Sequence, residues 1–404
     1  MVGSQFRGTT PLELTVPPGT PLEVRVSLAG HATFSTTATV ASEERADIRA
    51  VLERLTGEVV ITSEPPGAEV LIDGAPRGRT GQTVELEARP YQIEVLLDGY
   101  VPFRTVVTPE PGLTRAVRAA LKPVGVAGLP QTASSPQGAE LVLINPGRLT
   151  MGAPRREPGR RANEVLREVE ITKAFYLAVR EVSNREFREF KSGHLSGGYG
   201  GHNLEIDHHP VVNVSWEDAA RYCNWLSEKV GLPPVYVERG GSLVPRRPLP
   251  LGYRLPTEAE WAWAARYSDS ASPAKYAWGD SLPLPPGAGN YGDASAEGAL
   301  RASLPGYQDG FPATAPVGSF TANGLGLHNL GGNVAEWVQD FYTFTPTAPG
   351  VIEQDPTGPP SGTQHVIRGG SWMDTTVTEL RLTYRDSGDQ PRPDLGFRIA
   401  RSAE

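Results

Sequence analysis

Asn329-Leu330-Gly331-Gly332-Asn333-Val334-Ala335-Glu336-Trp337 is the most informative stretch of this 404-residue chain. It sets two side chains with oxygen ligands, Asn329 and Glu336, on either side of a Gly-Gly-Asn turn. Glycine permits the tight curl that brings such residues together. A turn of this kind offers the hard oxygens that calcium collects, about six to eight at a time. Read without a metal, the same residues make a turn and a helix cap.

Outward from that turn, three segments read as helices. Ser215 caps Trp216–Leu226, where Ala219, Tyr222, Cys223 and Leu226 form an apolar stripe and Glu217 and Asp218 lie in the first turn. Thr257 with Glu260 three residues later forms a capping box ahead of Trp261-Ala262-Trp263. Ser183–Phe190 is a shorter candidate. The chain holds 45 Gly and 38 Pro, about a fifth of its residues, against a usual ~12%. That excess disfavours a helical bundle and predicts short strands with long ordered loops. Loops of more than about 20 residues need something to pin them, and bound metal does so.

The N-terminal third has another character. All seven Trp lie between Trp216 and Trp372. Leu22-Glu23-Val24-Arg25-Val26-Ser27-Leu28 and Ile93-Glu94-Val95-Leu96-Leu97 alternate like half-buried strands, with turns at Ala29-Gly30, Asp73-Gly74 and Asp98-Gly99. An internal repeat runs at an offset of 69 residues, matching Val24, Val26, Gly30, Phe34 and Leu52 to Ile93, Val95, Gly99, Phe103 and Leu121. The second copy carries Pro65-Pro66-Gly67-Ala68 and resembles a PEGA domain, a small all-β module. The first copy starts part-way through, which predicts that a further domain or a membrane anchor lies upstream. Small uncharged residues over 124–138 read as a linker. The expected organisation is a partial module at 1–56, a second at 57–123, the linker, and an α+β domain with few regular elements at 139–404.

Met151-Gly152, Arg180-Glu181-Val182-Ser183-Asn184, Pro210–Trp216, Arg254–Trp261, Asn329–Trp337, Arg368-Gly369-Gly370-Ser371-Trp372 and Leu395-Gly396-Phe397-Arg398 occur in this order. Together they resemble the formylglycine-generating enzyme, or sulfatase-modifying factor, family, over roughly residues 139–401. The resemblance implies a C-type-lectin-like fold. It implies one structural calcium held by Asn329 and Glu336 with the carbonyls of Gly332 and Val334. A second would be held by Asn290 and Asp309 with the carbonyls of Tyr291 and Phe311. The aerobic enzymes of this family use two cysteines to bind copper. The matching positions here are Asp374 and Glu379, and the single cysteine, Cys223, lies on a helical stripe. No copper is therefore expected, because soft Cu(I) needs thiolates, and the domain reads as a pseudoenzyme.

Two further groups are candidates for function. His194, His202, His208 and His209 crowd one Gly-rich segment without a regular metal-ligand spacing, which reads as a surface loop with His209 structural. A rival reading makes the domain an iron-type oxidoreductase using His202, His208, Asp374 or Glu379. Trp372, Asp374, Glu379, Tyr384, Asp386 and Asp389 are expected to face a protein or glycan ligand, and a third reading makes the domain a variable-receptor type binder whose loop residues around 374–394 diversify. Arg381, Arg385, Arg392 and Arg398 flank that groove, and one or two are expected to pair with internal carboxylates. The formal net charge is −8, of which residues 1–123 carry −3 from 12 basic and 15 acidic side chains. That balance does not suit nucleic acid or an anionic membrane. No apolar run reaches the ~18 residues of a membrane span. The β modules and calcium together predict a place outside the cytoplasm, in a periplasm or at a cell surface.

Overall fold

The computed structural model describes residues 2, 5–97, 100–121, 128–267, 273–344 and 350–403. The Asp98-Gly99 turn and residues 124–127 of the linker lie outside them. The chain divides into two compact units, Met1–Val124 and Gly125–Glu404.

The first unit is all β. Strands β1 (Leu22–Val26) and β2 (Phe34–Ala38) form an antiparallel pair. The others are β3 (Thr56–Glu64), β4 (Glu69–Ile72), β5 (Ala75–Arg79), β6 (Gln82–Glu87), β7 (Tyr91–Leu96), β8 (Phe103–Val107) and β9 (Thr114–Ala120). They make two sheets, ordered β6-β3-β9 and β5-β4-β7-β8. Alternation dictates the packing: Val59 and Ile61 of β3, Val70 of β4, and Ile93 and Val95 of β7 are fully buried, while their neighbours in sequence face outward. The β3–β9 pair is parallel and the β3–β6 pair antiparallel, so β3 is the central strand of its sheet.

The second unit is mostly sheet and long loop, with three α-helices among the described residues: α1 (Asn184–Phe190), α2 (Trp216–Lys229) and α3 (Glu258–Arg266). Their starts follow local chemistry. Ser183 with Glu186 and Thr257 with Glu260 form capping boxes, and the Ser215 hydroxyl accepts the Asp218 N–H. A five-stranded sheet runs in the order Thr132–Ser134, Glu140–Ile144, Phe175–Ala178, Ala400–Ser402, Tyr253–Arg254. A four-stranded sheet runs Arg385–Gly388, His365–Arg368, Ala335–Phe341, Leu395–Phe397.

The Ala335–Phe341 strand is buried along its whole length. Its alternate residues serve different cores: Trp337 packs with α2, Tyr222 and Phe397, while Val338 packs with α3, Leu149 and Phe175. Indole nitrogens fasten the arrangement, since Trp337 donates to the Val214 carbonyl (3.0 Å) and Trp216 to that of Val338 (2.8 Å). Glu336 is the second residue of this strand, directly after the glycine turn.

The histidine segment differs from expectation. His194 is not a solvated surface residue: it is buried, packs on Phe187, and its Nε2 lies 3.0 Å from the Val212 carbonyl. The apolar face of α1 claims that imidazole. His209 is also buried, 3.0 Å from the Thr314 hydroxyl, while His208 is exposed.

Candidate metal centres

The turn before the Ala335–Phe341 strand is shaped by residues that tolerate unusual backbone. Asn329 and Asn333 hold φ of 60° and 69°, in the left-handed region that asparagine accepts better than most side chains. At Gly332 a Cβ would stand 2.8 Å from the Tyr291 ring and 3.1 Å from the Asn290 carbonyl oxygen, so only glycine fits. This close approach lets the Asn333 N–H donate to the Asn290 carbonyl (2.9 Å) and the Asn290 amide donate to Asn333 Oδ1 (3.0 Å). The two sets of expected calcium ligands therefore abut.

Around the first set lies a buried polar cluster. Glu336 is clasped by Arg398 through both carboxylate oxygens, at 2.6–2.9 Å, and accepts the Trp261 indole N–H at 2.8 Å. Glu181, 148 residues from Asn329, accepts the Asn329 amide (3.1 Å) and the Asn333 amide (3.0 Å). Glu181, Glu336 and Arg398 are each at most 1% exposed. Two carboxylates thus share one guanidinium in a dry environment. Burial pushes Glu181 up to about 7 against the pull of Arg398, with the Glu336 charge pushing the same way as burial. Because its amide nitrogen is turned to Glu181, Asn329 Oδ1 is left buried without a hydrogen-bond partner among the described residues. An orphaned acceptor beside excess negative charge is the donor set of a hard cation.

The second set repeats this pattern more starkly. Asp309 accepts the N–H groups of Tyr291 (2.9 Å) and Phe311 (2.8 Å), and Asp293 accepts those of Ser295 (2.7 Å) and Asp309. Neither carboxylate has an ion-pair partner among the described residues. Burial pushes Asp309 up to about 7, and neighbouring Asp293 adds to the push. Asn290 spends its amide nitrogen on Ala313 and Asn333, which leaves its Oδ1 buried and without a partner among the described residues as well. Both places therefore carry oxygen donors of the kind calcium takes, with Glu336 at the first already engaged by Arg398 and Trp261. Sequence reasoning missed Glu181 and Asp293. Glu181 stood in a quoted motif, but nothing local tied it to Asn329, and Asp293 lay beside Asn290-Tyr291 without a distinguishing signal.

The expected ligand-facing surface is only partly exposed. Trp372 is fully buried against Leu204, Val212, Ala313 and Val334, because its large apolar ring fills that small core. Tyr384 is buried under the Arg161 guanidinium, 4.8 Å from its ring centroid. These two are corrected from surface to interior. Asp374 accepts the Ser371 N–H at 2.7 Å, and the Ser371 hydroxyl lies 3.2 Å from Asp374 and 3.0 Å from Asp394. Burial, then the Asp394 charge, pushes Asp374 up to about 7. Glu379 bonds Thr376 and sits 3.6 Å from Arg161, Asp386 pairs with Arg392 at 2.8 Å, and Asp389 is exposed. Among the described residues no three His, Cys, Asp or Glu side chains converge as a metal cluster, so His202, His208, Asp374 and Glu379 are not gathered into one.

The flanking arginines do more internal work than expected, since all four meet carboxylates. Arg381 pairs with Glu164 (2.6 Å) and Glu157 (3.0 Å), Arg385 with Glu258 (2.6 Å), Arg392 with Asp386 and Asp394, and Arg398 with Glu336. Cys223 is fully buried and burial pushes its thiol upward, which removes it from reactive chemistry.

A mixed α+β domain of long loops, pinned by buried polar turns and carried behind small β modules, is the class these observations define. The chain belongs to the sulfatase-modifying factor enzyme 1-like domain family, whose profile matches residues 126–403; the PEGA domain profile matches residues 1–55 and 56–124. Formylglycine-generating enzyme of Streptomyces coelicolor is 37% identical over 202 residues, 48% of this chain and 54% of that protein. Inactive C-alpha-formylglycine-generating enzyme 2 of Mus musculus is 31% identical over 201 residues, 48% of this chain and 49% of that protein. The chain thus spans about half the length of these curated relatives. The solved structure of Treponema denticola variable protein 1 superposes with a TM-score of 0.52 at 26% identity, over 67% of this chain and 98% of that one.

Proposed function

We propose that the second unit is a non-catalytic binding domain whose loops are fixed by one or two structural calcium ions. The observation that carries this reading is the pair of buried, unpartnered amide oxygens, Asn290 Oδ1 and Asn329 Oδ1, each beside carboxylates in excess of cations. Calcium there would be held by the side chains of Asn329 and Glu336 with the carbonyls of Gly332 and Val334. At the second place it would be held by Asn290 and Asp309 with the carbonyls of Tyr291 and Phe311. Bound calcium supplies positive charge to buried acids and needs no redox chemistry. Glu181 holds the Asn329 amide so that its oxygen stays turned away toward the ion.

Two facts support the absence of formylglycine chemistry. Asp374 and Glu379 stand where the resemblance places the copper-binding cysteines, and the one thiol, Cys223, is sealed in a core. A matched relative is itself named inactive. The groove around Asp374, Glu379, Asp386 and Asp389 would take a protein or glycan, consistent with a structural relative named a variable protein. The β modules would act as spacers, and the whole would work in a periplasm or at a cell surface.

Equilibrium dialysis with metal analysis tests the reading. One or two calcium ions per chain are expected, with EGTA lowering the melting temperature of the Trp-containing unit and Asn290→Ala with Asn329→Ala abolishing the uptake. Stoichiometric iron or copper, or oxidation of a cysteine-containing peptide by the copper-supplied chain, would overturn it.

A further inference from the structure

The two sheets of the second β module have four edge strands, and three of them are guarded. β5 carries Pro76 with Arg77 and Arg79, and its pairing with β4 shifts at an irregularity. The other sheet ends in β6, which carries Glu85 and Glu87, and β9, which carries Arg115 and Arg118. Proline, bulges and charge are the devices that keep a sheet edge from pairing with another chain.

β8 is the exception. Its sequence, Phe103-Arg104-Thr105-Val106-Val107, has one charge, and Arg104 pairs with its register partner Glu94 of β7 at 3.3 Å. Among the described residues no strand pairs with the outer edge of β8. Every second residue of such an edge turns its N–H and C=O groups away from the neighbouring strand. Val106 is 67% exposed, and Phe103 and Val107 are only half-buried against the core of the module. A groove of about 430 Å3 lies between β8 and β9, so the described strands of the module leave this edge uncovered.

We propose that β8 pairs antiparallel with β8 of a second copy of this chain, about a two-fold axis through Thr105. Such an axis must pass through a residue position, because directly facing residues share one side of a sheet. Centred on Arg104, it would set two guanidiniums against each other. Centred on Val106, it would bring Pro109 into the ladder, where proline has no N–H to give. Centred on Thr105, all five residues pair: Phe103 with Val107, Arg104 with Val106, and Thr105 with itself. No like charges then face each other, and aromatic–β-branched and Thr–Thr pairs are stabilising cross-strand contacts. The contact is the same patch on both copies, so it closes as a dimer. A five-residue ladder falls short of the ~1,000 Å2 of a stable interface, so Kd is expected on the order of 10–100 μM.

Sedimentation velocity on the full chain, up to about 500 μM to bracket that Kd, reads the association. Val106→Lys sets an ammonium opposite the partner copy's Arg104, and Val106→Glu sets a carboxylate there. The contact occurs twice per dimer, so the Glu variant is expected to bind at least about fivefold tighter than the Lys variant. The net charge of −8 would by itself give the opposite order, and at an exposed position neither variant threatens the fold. A second measurement fixes the axis. Cys223 is buried, so a cysteine introduced into β8 is the only accessible thiol. With oxidised glutathione, Thr105→Cys should form a disulfide-linked dimer at least about tenfold faster than Val106→Cys, although 106 is the more exposed position, because only residue 105 faces itself at bridging distance. No dimer up to that concentration, equal Kd for the Lys and Glu variants, filaments in place of a closed dimer, or faster linking at 106 would overturn the pairing.

Discussion

Replacing Arg398 by Met removes the only guanidinium among the described residues that pairs with Glu336, while keeping the side-chain volume. Arg398 is fully buried and makes two-pronged contact with Glu336, and its remaining N–H groups donate to the carbonyls of Ala178 (3.1 Å) and His328 (2.8 Å). Removing one member of a buried pair leaves the other charge uncompensated, at a cost of about 3–5 kcal/mol. Here the orphan would be Glu336, next to a second buried acid, Glu181, so the upper end applies. For a domain of this size that predicts a fall in melting temperature of roughly 6–20 °C. Intrinsic tryptophan fluorescence in a urea titration reads this unit alone, because all seven Trp lie within it. The double change Arg398→Met with Glu336→Met deletes both charges and should recover at least about 1 kcal/mol relative to Arg398→Met. A loss below about 1 kcal/mol for Arg398→Met, or a double variant no better than that single one, would refute the view that uncompensated carboxylate charge governs this cluster.

Other expectations follow from the same geometry. Burial pushes His365, stacked 3.7 Å from Trp216, down to about 4. The unfolded chain takes up that proton first, so stability present above about pH 6.5 is lost as pH falls toward 4, by up to about 3 kcal/mol. The difference in unfolding free energy between the natural chain and His365→Phe should change across that window; a constant difference refutes it. Gly332→Ala places a Cβ 2.8 Å from Tyr291 and should destabilise by about 1–3 kcal/mol while weakening calcium uptake, read by thermal melts with and without the ion. Trp372→Ala should cost about 3–5 kcal/mol in unfolding, since the ring is fully buried; a stable variant with altered binding alone would restore the surface reading. Ser183→Ala, which deletes a cap and its partner bond to Glu186, should cost about 1 kcal/mol.

Legibility followed distance along the chain. The caps at Ser183, Ser215 and Thr257 were readable because each bond closes within three residues. The inward face of β3 and β7 was readable because alternation alone fixes it. Cys223 was placed in a core by the helical stripe it shares. The failures were of another kind. Trp372 reads as an ordinary loop aromatic beside two acids, and only the approach of Leu204, Val212 and Val334 encloses it. His194 lies in glycine-rich sequence, yet α1 draws it inside.

Local chemistry in the chain therefore settled where helices start, which strand faces turn inward, and that a modular repeat precedes a loop-rich domain. It also carried the oxygen-bearing side chains of the two turns. Tertiary structure alone decided which acids surround them. Glu181 meets Asn329 across 148 residues, and Asp293 meets Asp309 across 16. No periodicity encodes such meetings: they arise when sheets and loops close, and burial then fixes the electrostatics that the bare sequence leaves open.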